Sequence, residues 1–230
     1  MQKINILGMN LTDYSVREAV GITDRFLGSG SLNTILFISA KILVGVGVSE
    51  EQQAWMADAD LIVWTDAEIV KQAGIRTKDR IHEVEDQSYI KEVLKRLGRG
   101  KKSLYLLAES EEKLEELEAD LRGVREGLNI IGRSVADGMV QEEWDDIANR
   151  VNELAPVAVI SRIGFEHQMR MMEGMKRILN AEIWLALDHR VLQGGEKEPI
   201  LKKLLSKWYH LLFQKQLSEY QGANRQDEKK

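Results

Sequence analysis

Asp66 lies in the stretch ADLIVWTDAEIV, residues 59–70, directly after an apolar run that predicts a short buried strand. A carboxylate just past the C-terminal end of such a strand stands where open α/β sheets keep their chemistry. Two roles are open to it. It could take a proton from an attacking hydroxyl as a general base, or it could cap or end the turn, bonded to nearby N–H groups. RIHEVED, residues 80–86, gathers His82, Glu83, Glu85 and Asp86, a set able to hold a cation. A solvated loop before a helix accounts for the same residues. Asp188 and His189 form an Asp–His pair at a strand end, suited to acid–base work or to a structural hydrogen bond. Neither a Gly-x-Ser-x-Gly elbow nor a Walker loop occurs, so hydrolase and NTPase chemistry lack residues to carry them.

These groups need elements to position them. Strands are expected near Ile4, Ile35, Leu61, Leu104, Ile130, Val157 and Ile183. NTILFISA and SLYLLAE are continuous apolar runs, as strands buried on both faces require. Between them lie helical patterns. Ser15 with Glu18 reads as a capping box for a helix to about Leu27. Ser49 caps a helix through Met56, and a helix runs from about Asp86 to Leu97. Ser110 starts a charged helix with Leu114, Leu117 and Leu121 on one face. Met169, Met171, Met172 and Met175 recur at helical spacing, which fits core packing better than an adaptable binding surface. Strands alternating with helices of this length predict an α/β, Rossmann-like fold: a mostly parallel sheet in one layer, helices on both faces. The expected division is an α/β domain over 1–198, an amphipathic helical appendage over 199–220 and a disordered tail over 221–230.

That appendage carries Ile200, Leu201, Leu204, Leu205, Trp208, Leu211 and Leu212 at helical spacing. Lys202, Lys203, Lys207, His210 and Lys215 lie on or beside the other face. An apolar stripe with Trp opposite lysines suits a membrane interface; it also suits a helix packed on its own domain.

Totals narrow the classes. The 230 residues carry a net charge of −5, with 43% hydrophobic and 30% charged residues. Nothing there provides a global basic field for nucleic acid. With no cysteine, disulfides, thiolate chemistry and Cys-ligated zinc are excluded. The N-terminal MQKINILGMNLTDYS lacks a signal-peptide pattern, and no apolar stretch is long enough to span a bilayer. A cytoplasmic chain, peripheral at the inner face of the cell membrane, is the expectation, with no metal or cofactor.

Several stretches, in order, resemble one family over about Ile4 to Tyr220. They are INILGMNLTDYSVREAV, ILFISAKILVGVGVSEEQQAWMADADLIVWTDAEIV, RIHEVED, KKSLYLLAES and VAVISRIGFEHQMRMM. The family is WecG/TagA/CpsF, bacterial glycosyltransferases that build wall teichoic acid, enterobacterial common antigen and capsule. The resemblance implies transfer of a sugar, with inversion, from a UDP donor to a lipid diphosphate-linked acceptor. It also implies a helical appendage that touches the bilayer. Aligned without gaps, the family's donor-site Thr falls on Phe37 and its Asn on Ser39. Its proposed catalytic Asp falls on Thr65, with Asp66 in place of the following Gly. Its Arg is kept as Arg80, with Glu83 where a Gly is expected. Its Gly pair after the fourth strand becomes Ala108-Glu109, and its Gln falls on His167, beside Gln168.

Those replacements change the chemistry. Thr65 is no base, Phe37 offers no hydrogen bond, and Glu109 puts a negative charge where glycines let a diphosphate approach backbone N–H groups. The expectation is a pocket at the strand ends formed by Ser39, Thr65-Asp66, Ala108-Glu109 and Glu166-His167, acidic and obstructed by Phe37. The implied protein has lost or altered its transferase chemistry and works as a non-catalytic subunit or regulator of envelope polysaccharide assembly. The partners expected for it are a second copy of the chain or envelope-polysaccharide enzymes. The alternatives are a working transferase using Asp66 as base, and a sensor that binds a sugar nucleotide without turnover.

Overall fold

A computed structural model of the chain describes residues 2–6, 9–46, 49–137 and 140–193, together with 212 and 215. The chain opens with β1 (Gln2–Ile6) and β2 (Met9–Asp13), an antiparallel pair separate from the main sheet. This corrects the expectation that the strand at Ile4 joins the parallel layer. Ile4 and Ile6 are buried while Lys3 and Asn5 are exposed. That alternation belongs to a strand with one wet face, not to one buried on both.

α1 (Val16–Phe26) follows, closed at its start by the Ser15–Glu18 capping box. β3 (Asn33–Ile38) leads through α2 (Ala40–Val46) and α3 (Glu50–Ala57, capped by Ser49) to β4 (Leu61–Trp64). Three helices then precede the next strand: α4 (Ala67–Gln72), α5 (Lys78–Glu85) and α6 (Ser88–Arg99). RIHEVED therefore belongs mostly to α5 rather than to a loop. Its inner face is carried by Val84, buried, with Ile81 half-buried. β5 (Ser103–Ala108), α7 (Glu111–Val124), β6 (Asn129–Val135), α8 (Gln141–Leu154), β7 (Ala158–Arg162), α9 (Phe165–Met175) and β8 (Ile183–Ala186) complete the described elements.

The six remaining strands form one wholly parallel sheet in the order β4-β3-β8-β7-β5-β6. Every residue of β7 and β8 is buried, as the apolar runs require. One apolar cluster joins the sheet to α2, α3, α8 and α9, and includes the hairpin's Ile4, Ile6, Met9 and Leu11. A second joins the opposite face to α1, α6 and α7. The four methionines of α9 are buried in the first cluster, as core packing predicts. Because all six strands run the same way, the segments after Ile38, Trp64, Ala108, Arg162 and Ala186 emerge at one end of the sheet.

Candidate functional site

Three of those segments are tied by one polar network. Ser39, fully buried, donates its hydroxyl to Asp188 Oδ2 at 2.8 Å, while the Ile42 N–H donates to Ser39 Oγ at 3.4 Å. Arg190 donates Nη2–H to Asp66 Oδ2 at 3.0 Å, and its backbone N–H to Asp188 Oδ1 at 3.0 Å. Asp66 Oδ2 also accepts from the Ala40 N–H at 3.4 Å. Asp66 precedes α4 yet makes no side-chain capping hydrogen bond to it. Its carboxylate instead reaches the first N–H of α2. With only 14% of its side chain exposed, Asp66 is bound to Arg190 and to the start of α2 rather than to the turn it precedes. Asp188 is an acceptor for Ser39 and for the Arg190 backbone, the structural role open to it from sequence. Arg190 was not singled out from sequence; it pairs with a residue 124 positions away, and no local pattern announces it.

Thr65, Phe37 and Arg80 meet elsewhere. All three line a cavity of about 20 Å³ beside Tyr14, Glu83 and Tyr89. Its size suits a single water. The Thr65 N–H donates to Ile38 O at 3.0 Å, and its hydroxyl is buried with no partner among the described residues. Phe37 does not hang into an open cleft, contrary to expectation. It is 3% exposed, packs on Tyr89 with ring centroids 5.7 Å apart, and belongs to the core under α6. Arg80 is committed to protein partners. Its Nε donates to both Asp13 oxygens at 3.1 Å, its Nη2 to Asp13 Oδ1 at 2.8 Å, and its Nη1 to Glu83 Oε2 at 3.4 Å. Glu83 in turn accepts the Val16 N–H at 3.2 Å. Arg80 thus fastens α5 to the end of the hairpin and the start of α1.

Across the sheet, Ala108 is fully buried. Glu109 crosses from the end of β5 to the next segment: its Oε1 accepts the Gly164 N–H at 2.6 Å, where Gly164 caps α9. β5 and β7 are neighbours whose crossovers go to opposite faces, α7 to one and α9 to the other. Glu109 therefore lies at a topological switch point, the crevice where open α/β sheets receive ligands. Gln168 is 3% exposed and accepts the Ser161 hydroxyl at 2.5 Å. His167 is half-buried, with Nε2 buried and unpartnered among the described residues.

A cleft of about 280 Å³ opens between α2 and the start of α9, lined by Lys41, Gln52, Glu166, Gln168, Asp188 and His189 over apolar walls. The predicted site residues consequently divide. Ser39 and Asp66 share one network, Thr65 and Arg80 a second cavity, and Glu109 and Gln168 sit about α9. Among the described residues no group of three His, Asp or Glu side chains is placed to hold a metal. His82 pairs with Asp86 at 3.0 Å along one exposed helix face. Lys202, Lys203, Lys207 and Trp208 lie outside the described residues, and among the described residues no helix is long and apolar enough to cross a membrane.

The parallel sheet, its flanking helices and the polar segments at its C-terminal edge define a Rossmann-like α/β protein. The model of the glycosyl transferase WecG/TagA/CpsF family matches residues 4–189, and the chain belongs to that family. No curated protein matches it.

Proposed function

We propose that this chain is a cell-envelope glycosyltransferase homologue that has lost the transfer step and acts as a non-catalytic component of polysaccharide assembly. One observation carries the reading. The positions that the resemblance assigns to the donor-site Thr, the base and the Arg, here Phe37, Thr65 and Arg80, converge on a cavity of about 20 Å³. A hexose cannot enter it, and an inverting transfer needs a base within hydrogen-bond reach of the acceptor hydroxyl. Arg80, bound by Asp13 and Glu83, acts as a structural tie.

The segment 199–220 would hold the protein at an anionic membrane surface, where lysines add on the order of 1 kcal/mol each. Its partners are then the membrane-bound enzymes of the same assembly or a second copy. A working transferase using Asp66 is the competing reading, favoured by the place of Asp66 at the C-terminal edge of the sheet. It is opposed by the Arg190 bond that Asp66 Oδ2 already accepts. Replacement of the chromosomal copy by Asp66→Asn separates the two. Unchanged envelope polysaccharide supports the non-catalytic reading. Loss of polysaccharide with normal protein levels refutes it.

A further inference from the structure

α3 and α9 pack on the same face of the sheet without closing on each other. Met56 is the one buried residue of α3. Ala54 and Ala59, which α3 and its end contribute to the gap, are too small to fill it. A cleft of about 310 Å³ remains. Its inner wall is Thr34 and Leu36 of β3 with Met169 and Met172 of α9, all buried. Thr34 stands near the start of β3, and Asp58 and Lys176 cap the C-terminal ends of α3 and α9. The cleft is thus distinct from the network of Ser39, Asp66 and Asp188, and none of the site residues expected from sequence lines it.

Its rim is acidic. Glu51, Asp58 and Glu173 line it against one cation, Lys176. That ammonium is already paired: it donates to Asp58 O at 3.0 Å and to Asp58 Oδ2 at 3.1 Å, and stands 3.5 Å from Asp60 Oδ2. Glu51 has Arg170 at 3.8 Å, which it shares with Glu166 at 3.2 Å. Glu173 accepts the Trp55 indole N–H at 3.2 Å, a neutral donor, and has no ion-pair partner among the described residues. Trp55 itself is half-buried, with the Arg170 guanidinium over its ring 5.8 Å from the centroid. An indole ring attracts cations through its face, and the C-terminal ends of two helices, which favour positive charge, meet at the same cleft.

We propose that the cleft between α3 and α9 binds a small organic amine, its apolar body against Leu36, Met169 and Met172 and its ammonium held by the Glu173 carboxylate beside the Trp55 ring. Charge complementarity selects this occupant: a neutral or anionic one leaves the Glu173 charge uncompensated. The methionines supply an apolar wall that adapts to the shape of the body. The volume falls at the lower end of ligand pockets, about 300–1,000 Å³, and suits a single small molecule. The proposal goes beyond the reading of an idle transferase and does not rest on it.

Phenylbutylamine and phenylbutanol share an apolar body, differ in charge and serve as probes. Isothermal titration of the full chain at low salt should give amine binding about tenfold or more tighter than alcohol binding. The amine should weaken as salt rises, and the alcohol should not. Glu173→Gln keeps an acceptor for the Trp55 N–H and removes only the charge. Glu173 is exposed, so the melting temperature should not change. The variant should weaken the amine about tenfold and leave the alcohol within about twofold. Glu116→Gln removes one exposed charge from α7, on the opposite face of the sheet, and should leave both probes unchanged. That comparison separates the cleft from the general attraction of a chain with net charge −5. The proposal is overturned if the alcohol binds as tightly as the amine, if Glu173→Gln does no more than Glu116→Gln, or if the amine fails to bind at millimolar concentration. None of these outcomes depends on sugar transfer.

Discussion

Replacing Arg80 by Met should destabilise the protein strongly. The side chains of Arg80 and Asp13 are 10% and 7% exposed, and three N–H···O contacts of 2.8 to 3.1 Å join them. Removing the guanidinium strands Asp13 as a buried, uncompensated charge, which costs roughly 3–5 kcal/mol. Glu83 suffers less, because 29% of its side chain is exposed and it keeps the Val16 N–H. For a chain of this size the loss amounts to a melting temperature lower by roughly 6–20 °C. Urea unfolding of wild type, Arg80→Met, Asp13→Leu and the double variant closes the cycle. Swapping both partners for apolar residues is often close to neutral, so the double variant should recover most of the loss. A loss below about 1 kcal/mol in Arg80→Met would refute the structural role, since that is the worth of an exposed pair. Arg80 would then be free to serve a ligand.

Thr65→Val removes a buried hydroxyl that has no partner among the described residues and leaves a side chain of similar volume. It should be neutral or stabilising by up to about 1 kcal/mol in thermal melts; a large loss would mean that the hydroxyl has a role after all. Burial pushes the Tyr89 phenol up, so the folded chain holds that proton more tightly than the unfolded one. Its contribution is complete below the unfolded tyrosine value of about 10 and is lost as pH rises through the higher folded value. Tyr89→Phe should lose about 1 kcal/mol at neutral pH with the Thr23 bond, and should show a shallower alkaline decline in urea midpoint. The chain should float with anionic liposomes, more at low salt than at high, and Lys202→Glu with Lys207→Glu should weaken this without unfolding the domain. Flotation that is absent at every salt concentration would remove the membrane role.

The layered α/β core was legible because parallel strands leave an unmistakable mark. NTILFI and SLYLLA are apolar on successive residues, and only a strand covered on both sides tolerates that. Caps were legible for a similar reason: Ser15, Ser49 and Ser110 each accept an N–H three residues on. The hairpin was misassigned although its alternation, with Ile4 and Ile6 between Lys3 and Asn5, carried the clue. α5 was missed because its charged residues resemble a loop when the half-buried Ile81 and buried Val84 are overlooked. The site was less legible than the fold. Residue types could be placed at strand ends, but pairings such as Asp66 with Arg190 or Arg80 with Asp13 join residues 124 and 67 positions apart. Such contacts follow from packing, which a linear pattern does not contain. Phe37 illustrates the limit: a mismatch at a donor-site position turned out to be an aromatic core contact with Tyr89.

The central claim, that the transfer step is gone, is tested most directly by UDP release. Purified chain with anionic liposomes, a lipid diphosphate-linked sugar acceptor and a panel of UDP-N-acetylhexosamines should release no UDP above the rate without protein, and Asp66→Asn should behave identically. Acceptor-dependent release by wild type that disappears in Asp66→Asn would contradict the account and make Asp66 the catalytic base.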